Sequence, residues 1–271
     1  MDRVALTARW TAAARACESI RPDRLFEDPL AAALAGPEGF ALQAQVDGPA
    51  GNPTLPIRTR FFDDFLRRVV AEAPVRQVVL VAAGMDTRAL RLPWPAGTML
   101  FELDRPELLT AKDTVLSALQ ATPQCRRYPV GIDLQDDWEQ PLRAAGYCPE
   151  QQAVWLLEGL LVYLEAAAVH QLLEQVAANA VPGSWLGTDL INRAFFTSPY
   201  TQPWLQALAG AGLAWHFGTD EPEGLLAAHG WTATITETSS EGARHGRWPY
   251  PTPRDVTGLP QSFLVTAQRA G

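Results

Sequence analysis

The chain has 271 residues, of which 47% are hydrophobic and 19% are charged, and this balance is typical of a globular protein with one sizeable core. Its formal net charge of −8, with no basic tract longer than two residues, argues against a nucleic-acid partner, and no apolar run is long enough to indicate a membrane partner. Three widely spaced cysteines (Cys17, Cys125 and Cys148) exclude a disulfide framework and favour a reducing cytoplasm.

The N-terminal part, residues 1–74, is predicted to be mostly helical and to form a lid and cap. Residues 5–17 are rich in alanine, which favours a helix, and they lack the long apolar core of a signal peptide. The pair Asp28-Pro29 is typical of a helix N-cap followed by proline at the first helical position. The stretch 36–56, rich in Gly, Pro and Asn, predicts a loop with room for a short helix. An amphipathic helix is predicted at 57–71.

Apolar strands and helical stretches alternate from residue 78 onward. This alternation predicts an α/β fold, with a mostly parallel sheet covered by helices on both faces and closed by an antiparallel last strand. Strands are predicted at 78–83, 98–103, 128–132, 153–157, 185–190, 231–237 and 262–268, and helices at 105–119, 135–145 and 166–180. We expect one domain, residues 1–271, with a core at 75–190, an aromatic insert at 191–230 and closing strands at 231–271.

A turn of small residues follows the first strand. Gly84 in this turn would let the backbone approach a ligand closely. A dinucleotide fingerprint needs two further glycines, and Ala82 and Thr87 stand in their places. The loop therefore lacks two of the three glycines that bind a pyrophosphate. A nucleoside without phosphates does not require those glycines. A plain strand-to-helix turn with one helpful glycine is an equally good interpretation at this point.

Acidic residues stand at the ends of successive predicted strands, where an open parallel sheet binds ligands. Glu102 and Asp104 share one strand face, about twenty residues after the glycine, which is the spacing of a ribose-binding acid. Asp133 ends the third strand and would bind an adenine amine, with Leu134 against the ring. Helix capping is the alternative role for the two aspartates. Glu158 lies in an apolar run and needs a partner, either a cationic ligand or a structural arginine.

Two pairs of arginines near the N-terminus each allow two interpretations. Arg60 stands four residues before Asp64, so that an ion pair within one helix is expected. Arg58, which opens the same helix, is a candidate clamp for a ligand carboxylate. Arg21 and Arg24 offer the same choice between a local ion pair and a ligand contact. The four histidines have no metal spacing, and we expect no metal.

Six motifs resemble the leucine carboxyl methyltransferase family, and in particular its bacterial branch of S-adenosylmethionine-dependent methyltransferases that act on small molecules. They follow one another in the family's order, and weaker similarities at 217–222, 229–231 and 262–266 extend the resemblance over nearly the whole chain. The motifs are RPDRLFEDP at 21–29, RTRFFDD at 58–64, AGMDTR at 83–88, FELD at 101–104, DL at 133–134 and EGLLVYL at 158–164. The resemblance implies a Rossmann-like class I methyltransferase sheet of seven strands, with S-adenosylmethionine as the cofactor.

The resemblance also implies a role for each matching residue. Its cofactor contacts would be Gly84 in the loop, Asp104 on the ribose, Asp133 and Leu134 at the adenine, Glu158 near the methionyl end, Arg58 on the cofactor carboxylate, and Arg24 or Arg21 in place of an N-terminal lysine of eukaryotic members. Ala82 departs from the glycine found in many family loops. The insert would form the acceptor pocket, or else pack as core, with the aromatic residues Tyr163, Phe195, Tyr200, Trp204 and Trp215.

The implied chemistry is an in-line displacement at a sulfonium methyl group, so the protein would bind and orient the reactants, and we assign no catalytic residue. A carboxylate acceptor, with a pKa of about 4, needs no base at neutral pH. Methylation of a small-molecule carboxylate is therefore the first hypothesis, and methylation of a phenol or alcohol is the second. A nicotinamide oxidoreductase, which the missing glycines disfavour, and a cofactor-binding module without turnover are the rivals.

Overall fold

The computed structural model describes residues 3–48, 51–249, 251–254, 256 and 258–271. Seven strands form one sheet. They are β1 (Gln77–Val81), β2 (Met99–Asp104), β3 (Arg126–Gly131), β4 (Ala153–Leu157), β5 (Trp185–Ile191), β6 (Trp231–Glu237) and β7 (Ser262–Arg269). Their order in the sheet is β3-β2-β1-β4-β5-β7-β6.

The strand directions confirm the predicted sheet. Strands β1 to β5 pair in parallel, and β7 runs antiparallel to both β5 and β6. Because β2 and β4 flank β1 on opposite sides, the chain order reverses between β1 and β4, where an open sheet of this kind binds its ligand. Pro129 is accommodated because β3 is an edge strand, where a missing N–H disrupts no interior ladder.

Ten α-helices are defined within the described residues. They are α1 (Arg3–Ser19), α2 (Ala31–Asp47), α3 (Thr54–Glu72), α4 (Arg88–Arg91), α5 (Pro106–Ala118), α6 (Glu139–Ala144), α7 (Ala166–Ala178), α8 (Gln202–Gly210), α9 (Pro222–Ala227) and α10 (Thr238–Arg244). Apolar side chains fill both faces of the sheet, as the near-continuous apolar strands predicted. Within the described part of the chain, no helix is both long and apolar enough to cross a membrane.

The prediction of a loop at 36–56 was wrong, because α2 occupies most of that stretch. Gly36, with φ of 60°, and Pro37 kink the helix without ending it. A Cβ on Gly39 would lie 2.5 Å from the carbonyl oxygen of Arg9, so the missing side chain lets α2 pack closely on α1. The glycines that suggested a loop therefore serve a kink and a close helix contact.

Other boundaries differ for local reasons. Leu30 rather than Asp28 occupies the N-cap position of α2, but Asp28 closes the turn before this helix, because its Oδ1 accepts from the Leu30 N–H at 3.2 Å. Its Oδ2 is buried against Arg15. The helix predicted at 135–145 begins only at Glu139. Strand β1 begins one residue earlier than expected because buried Gln77 bonds the backbone N–H and C=O of Cys148 with its side-chain amide.

Candidate active site

A cavity of about 650 Å³ opens at the carboxyl edge of the sheet, where β1, β2 and β4 end. It extends from the turn after β1 across the loop after β3 to the segment after β4. Six of the seven residues predicted to contact the cofactor line this cavity, namely Arg58, Gly84, Asp104, Asp133, Leu134 and Glu158. The structure thus brings together side chains that are up to 100 positions apart in the sequence.

The turn after β1 is held by the acid at the end of β2. The Gly84 N–H donates to Asp104 Oδ2 at 2.7 Å, and the Arg105 N–H donates to Asp104 Oδ1 at 2.8 Å. Gly84 has φ of 51°, and a Cβ there would lie 3.0 Å from the Cβ of Ala8 in α1. Ala82 adopts φ of 57°, so this turn is left-handed even where the glycine is missing. Burial raises the pKa of Asp104, although both backbone N–H groups oppose that shift.

Glu102 and Asp104 lie on one strand face but differ in their surroundings. Glu102 is fully buried and does not line the cavity. The side chains of Lys112 and Arg127 each lie 2.8 Å from its Oε2. Only Asp104 therefore has access to a ligand, and the single lysine of the chain serves the core.

Asp133 and Leu134 lie at the opposite wall of the cavity and are only half-buried. The Gln135 N–H donates to Asp133 Oδ1 at 3.0 Å, and the guanidinium of Arg105 lies 3.9 Å from Oδ2. Since α6 begins six residues later, Asp133 closes a turn of the loop rather than capping the helix.

Glu158 forms ion pairs with two arginines. Of the two partners considered from the sequence, a cationic ligand or a structural arginine, the structure shows the arginine. Its Oε1 accepts from Arg58 Nε at 2.9 Å, and its Oε2 forms an ion pair with Arg88 at 2.8 Å. Arg58 also donates to Asp189 Oδ2 at 3.0 Å, and the Gly159 N–H donates to Asp189 Oδ1 at 2.6 Å. Burial alone would lower the pKa of Arg58, but Asp189 and Glu158 outweigh it and raise that pKa.

A second layer of buried charges supports this arrangement. Asp63 accepts from Arg88 Nε at 2.8 Å and also pairs with Arg91. Asp28 accepts from Arg15 Nε at 2.9 Å and from the Thr87 hydroxyl at 2.6 Å. The paired network keeps the arginines of α3 and α4 fixed beneath the cavity, because removing one partner would leave a buried charge uncompensated.

Arg24 is the one predicted cofactor contact that the structure does not bring to the cavity, and Arg21 does not line it either. Arg21 pairs with exposed Asp23, and Arg24 lies 3.8 Å from exposed Glu27. Arg15 lines the cavity instead and donates to the Met85 carbonyl at 2.5 Å. No sequence pattern identifies this residue, since a single arginine in an alanine-rich helix has no distinctive spacing.

A second cavity, of about 300 Å³, adjoins the first and is lined by aromatic side chains. All five residues predicted for the acceptor pocket line it: Tyr163, Phe195, Tyr200, Trp204 and Trp215. Both cavities are bounded by Thr7, Thr11, Leu55, Arg58, Gly159 and Tyr163. Arg58 and Tyr163 therefore stand where two bound molecules would meet. Burial raises the pKa of Tyr163 to about 12, so its hydroxyl stays protonated and can donate at neutral pH.

Sequence reasoning missed many residues of the aromatic cavity, and three of them affect its charge and its hydrogen bonds. Trp10 of α1 and Asp47 at the end of α2 line it, and so does Asp189 of β5. A charged residue within the otherwise apolar β5 was the available signal for Asp189. Asp47 had no signal, because it lay in the stretch predicted as a loop.

Histidines contribute little to either cavity. His216 lines the larger cavity and lies 3.3 Å from exposed Glu165. His170 and His229 face each other at the surface, 3.0 Å apart. Among the described residues, no cluster of His, Cys, Asp and Glu side chains is suited to hold a metal ion.

Solved structures with the same fold include two that align over most of the chain. A candidate methyltransferase from Thermobifida fusca YX aligns with a TM-score of 0.61 at 16% identity, covering 87% of this chain and 89% of its own. A DUF574 family protein from Streptomyces avermitilis MA-4680 aligns with a TM-score of 0.60 at 14% identity, covering 97% of both chains. At such low identities these likenesses establish the fold alone.

Two bacterial relatives are more similar to this chain in sequence than the solved structures are. A candidate S-adenosyl-L-methionine-dependent methyltransferase from Parafrankia sp. (strain EAN1pec) is 41% identical, covering 100% of this chain and 87% of its own. One from Frankia alni is 42% identical, covering 98% and 95%. The family model described as leucine carboxyl methyltransferase matches residues 8–177, more than half of the sequence. The chain therefore belongs to the leucine carboxyl methyltransferase family.

Proposed function

We propose that this protein transfers the methyl group of S-adenosylmethionine to a carboxylate oxygen of a small molecule bound in the aromatic cavity. It is an S-adenosylmethionine-dependent methyltransferase, as family membership and the naming of its relatives establish. The observation that carries the finer proposal is the junction of the two cavities. Arg58 and Tyr163 supply hydrogen-bond donors there, and these suit an anionic oxygen.

The larger cavity fits this cofactor better than a nicotinamide dinucleotide. The Gly84 N–H already donates to Asp104, whereas a phosphate-binding loop would direct such a group at the ligand. Asp104 and Glu158 line this cavity, and their negative charges would oppose a pyrophosphate. A ribose and a sulfonium cation, by contrast, both suit carboxylates.

The protein's own residues would position the reactants rather than activate them. The bound cofactor supplies an electrophilic methyl group. Asp104 would hold the ribose hydroxyls, Asp133 and Leu134 the adenine, and the acids beside Arg58 the positively charged end. The aromatic walls would exclude water and fix the acceptor oxygen in line with the methyl group.

A carboxylate is favoured over a phenol by the need for a base. An acid with a pKa of about 4 is ionised at neutral pH, whereas a phenol with a pKa of about 10 requires deprotonation. No histidine lines the aromatic cavity within the described residues. Asp189, the nearest candidate base, already accepts from Arg58 and from Gly159.

Incubation with a labelled methyl donor and matched pairs of carboxylic acids and phenols tests the proposal. We expect a labelled product that dilute alkali hydrolyses to methanol, because esters are cleaved by hydroxide and aryl ethers are not. We also expect a rate that is nearly constant from about pH 6 to 9, since the acceptor is ionised throughout. An alkali-stable product, formed faster as the pH rises toward 10, would instead support phenol methylation.

A further inference from the structure

Asp47, the last residue of α2, lines the aromatic cavity, and two indoles contact its carboxylate. Trp10 Nε1 donates to its Oδ2 at 2.7 Å, and Trp204 Nε1 lies 3.3 Å from its Oδ1. Among the side chains that the structure describes, no arginine, lysine or histidine forms an ion pair with Asp47. Hydrogen bonds from these two indoles and from the Asn52 side chain still leave a lone pair of the carboxylate available, so a cationic partner can be accommodated.

The two indoles that contact this carboxylate belong to a larger group of aromatic rings in the cavity. The ring centroids of Trp204 and Trp215 are 4.9 Å apart at 82°, and those of Trp10 and Trp204 are 6.2 Å apart. Phe195 lies 5.7 Å from Trp215. Rings of this kind attract a positively charged nitrogen through their electron-rich faces.

The charged lining of the aromatic cavity is acidic in balance. Asp47 and Asp189 are its acids, and Arg58 is its one basic residue among those described. Arg58 is already shared by Asp189 and Glu158. Asp47 lines only the aromatic cavity, whereas Arg58 lines both cavities. The negative charge of Asp47 therefore lies in the aromatic cavity, which the cofactor would not occupy.

We propose that Asp47 and the surrounding indoles form a subsite for a positively charged nitrogen group of the methyl acceptor. The inference rests on the proposed function and narrows its substrate class to amine-bearing carboxylic acids. The ammonium would lie against Asp47, and the carboxylate would lie at Arg58 and Tyr163. A cavity of about 300 Å³ equals roughly ten water volumes of about 30 Å³ each, which suits a small molecule.

Calorimetric titration with two probes of equal shape tests this subsite. The probes are 2-phenylethylamine, a cation at pH 7.5, and 2-phenylethanol, which is neutral. Each is titrated into the full-length protein with and without S-adenosylhomocysteine. We expect the amine to bind wild-type protein about tenfold more tightly than the alcohol, since it alone gains cation–π and charge-assisted contacts.

Two variants separate the subsite from a general charge effect. Asp47→Asn should lose most of the amine preference and keep only the part that the aromatic rings supply. Glu174→Gln, which removes the same charge from an exposed position of α7, should keep the tenfold preference. Equal binding of the two probes by wild-type protein, or an undiminished tenfold preference in Asp47→Asn, would overturn the proposal. The wild-type comparison decides even if a variant fails to fold.

The same titrations distinguish failure of the subsite from failure of the proposed function. If S-adenosylhomocysteine does not bind, the cofactor assignment fails, while the amine preference still reports on Asp47. If S-adenosylhomocysteine binds and the amine has no advantage, only the cationic subsite is refuted.

Discussion

Among single residues, Asp104 connects the end of β2 to the turn after β1 in the candidate cofactor site. Asp104 accepts from the Gly84 N–H while its own strand end faces the cavity. This arrangement explains how a loop with only one of the three dinucleotide glycines can still be well defined. The acid, rather than a bound phosphate, satisfies the loop amide.

Asp104→Asn should weaken cofactor binding by about tenfold or more, because a hydrogen bond to a charged group contributes roughly 1.5–3 kcal/mol. Isothermal titration with S-adenosylhomocysteine measures the effect. Glu107→Gln, at an exposed acid in the first turn of α5, serves as the control and should bind as wild type does. A wild-type Kd for Asp104→Asn would remove this residue from the site.

The raised pKa of Asp104 makes the same interaction sensitive to pH. Its folded-state pKa lies above the usual value of 3.8, so the protonated form is favoured by burial and the carboxylate is lost as pH falls through that raised pKa. Cofactor affinity should therefore decline on acidification, starting above the range of an ordinary aspartate. Titrations between pH 7 and 4 should show that decline in wild-type protein and a weaker one in Asp104→Asn. Parallel profiles would contradict this account.

Arg58→Ala should raise the cofactor Kd more than Arg76→Ala does. Arg58 holds Glu158 and Asp189 at the cavity, whereas half-buried Arg76 bonds only backbone carbonyls near the end of α3. Removing Arg58 also takes the ion-pair partner from partly buried Asp189, while Glu158 keeps Arg88, so a loss of about 3 kcal/mol or less in unfolding free energy is expected. Titration and urea denaturation of both variants provide the comparison, and equal Kd values would refute the role of Arg58.

At the scale of elements, the contact between α1 and α2 shapes the aromatic cavity. The two helices carry Trp10 and Asp47, whose side chains are joined by a hydrogen bond of 2.7 Å. Close packing of the helices depends on Gly39, above which the Arg9 carbonyl lies. The geometry of the cavity wall therefore depends on a residue that does not line it.

Gly39→Ala should destabilise the protein by about 1–3 kcal/mol, because the added methyl overlaps the backbone of α1. Gly210→Ala in α8 is a matched control, since nothing lies within 4 Å of its added Cβ. That variant should be neutral or slightly more stable, as helix propensity predicts. Urea denaturation followed by circular dichroism gives both values, and a Gly39→Ala variant as stable as wild type would contradict the close contact.

At the scale of the whole molecule, the sequence predicted the sheet well and the lid poorly. Strands β4 and β6 were predicted to the residue, since apolar strands alternating with helices leave few other arrangements. The acids at strand ends were predicted for the same reason, because parallel strands bring their carboxyl ends to one edge. The second half of helix α2 was predicted as a loop because Gly36 and Pro37 usually end a helix, whereas here packing against α1 maintains it across a kink.

The partners of the site residues could not be predicted from sequence. Glu158 was recognised as an acid that needs a partner, but its partners Arg58 and Arg88 come from different elements. Arg15 replaces Arg24 at the cavity because α1 runs beneath the turn after β1, which only the tertiary structure shows. Spacing along the chain predicts which edge of the sheet a residue reaches, but not which charge it meets there.

The central claim is that the acids at the carboxyl edge of β1, β2 and β4 bind an adenosyl sulfonium and not a dinucleotide. Isothermal titration of the wild-type protein with S-adenosylmethionine and with NAD, under identical conditions, tests it most directly. We predict one molecule of S-adenosylmethionine bound per chain, with a Kd at least about tenfold lower than that for NAD, equivalent to about 1.4 kcal/mol. Tighter binding of NAD, or no binding of S-adenosylmethionine, would contradict the account.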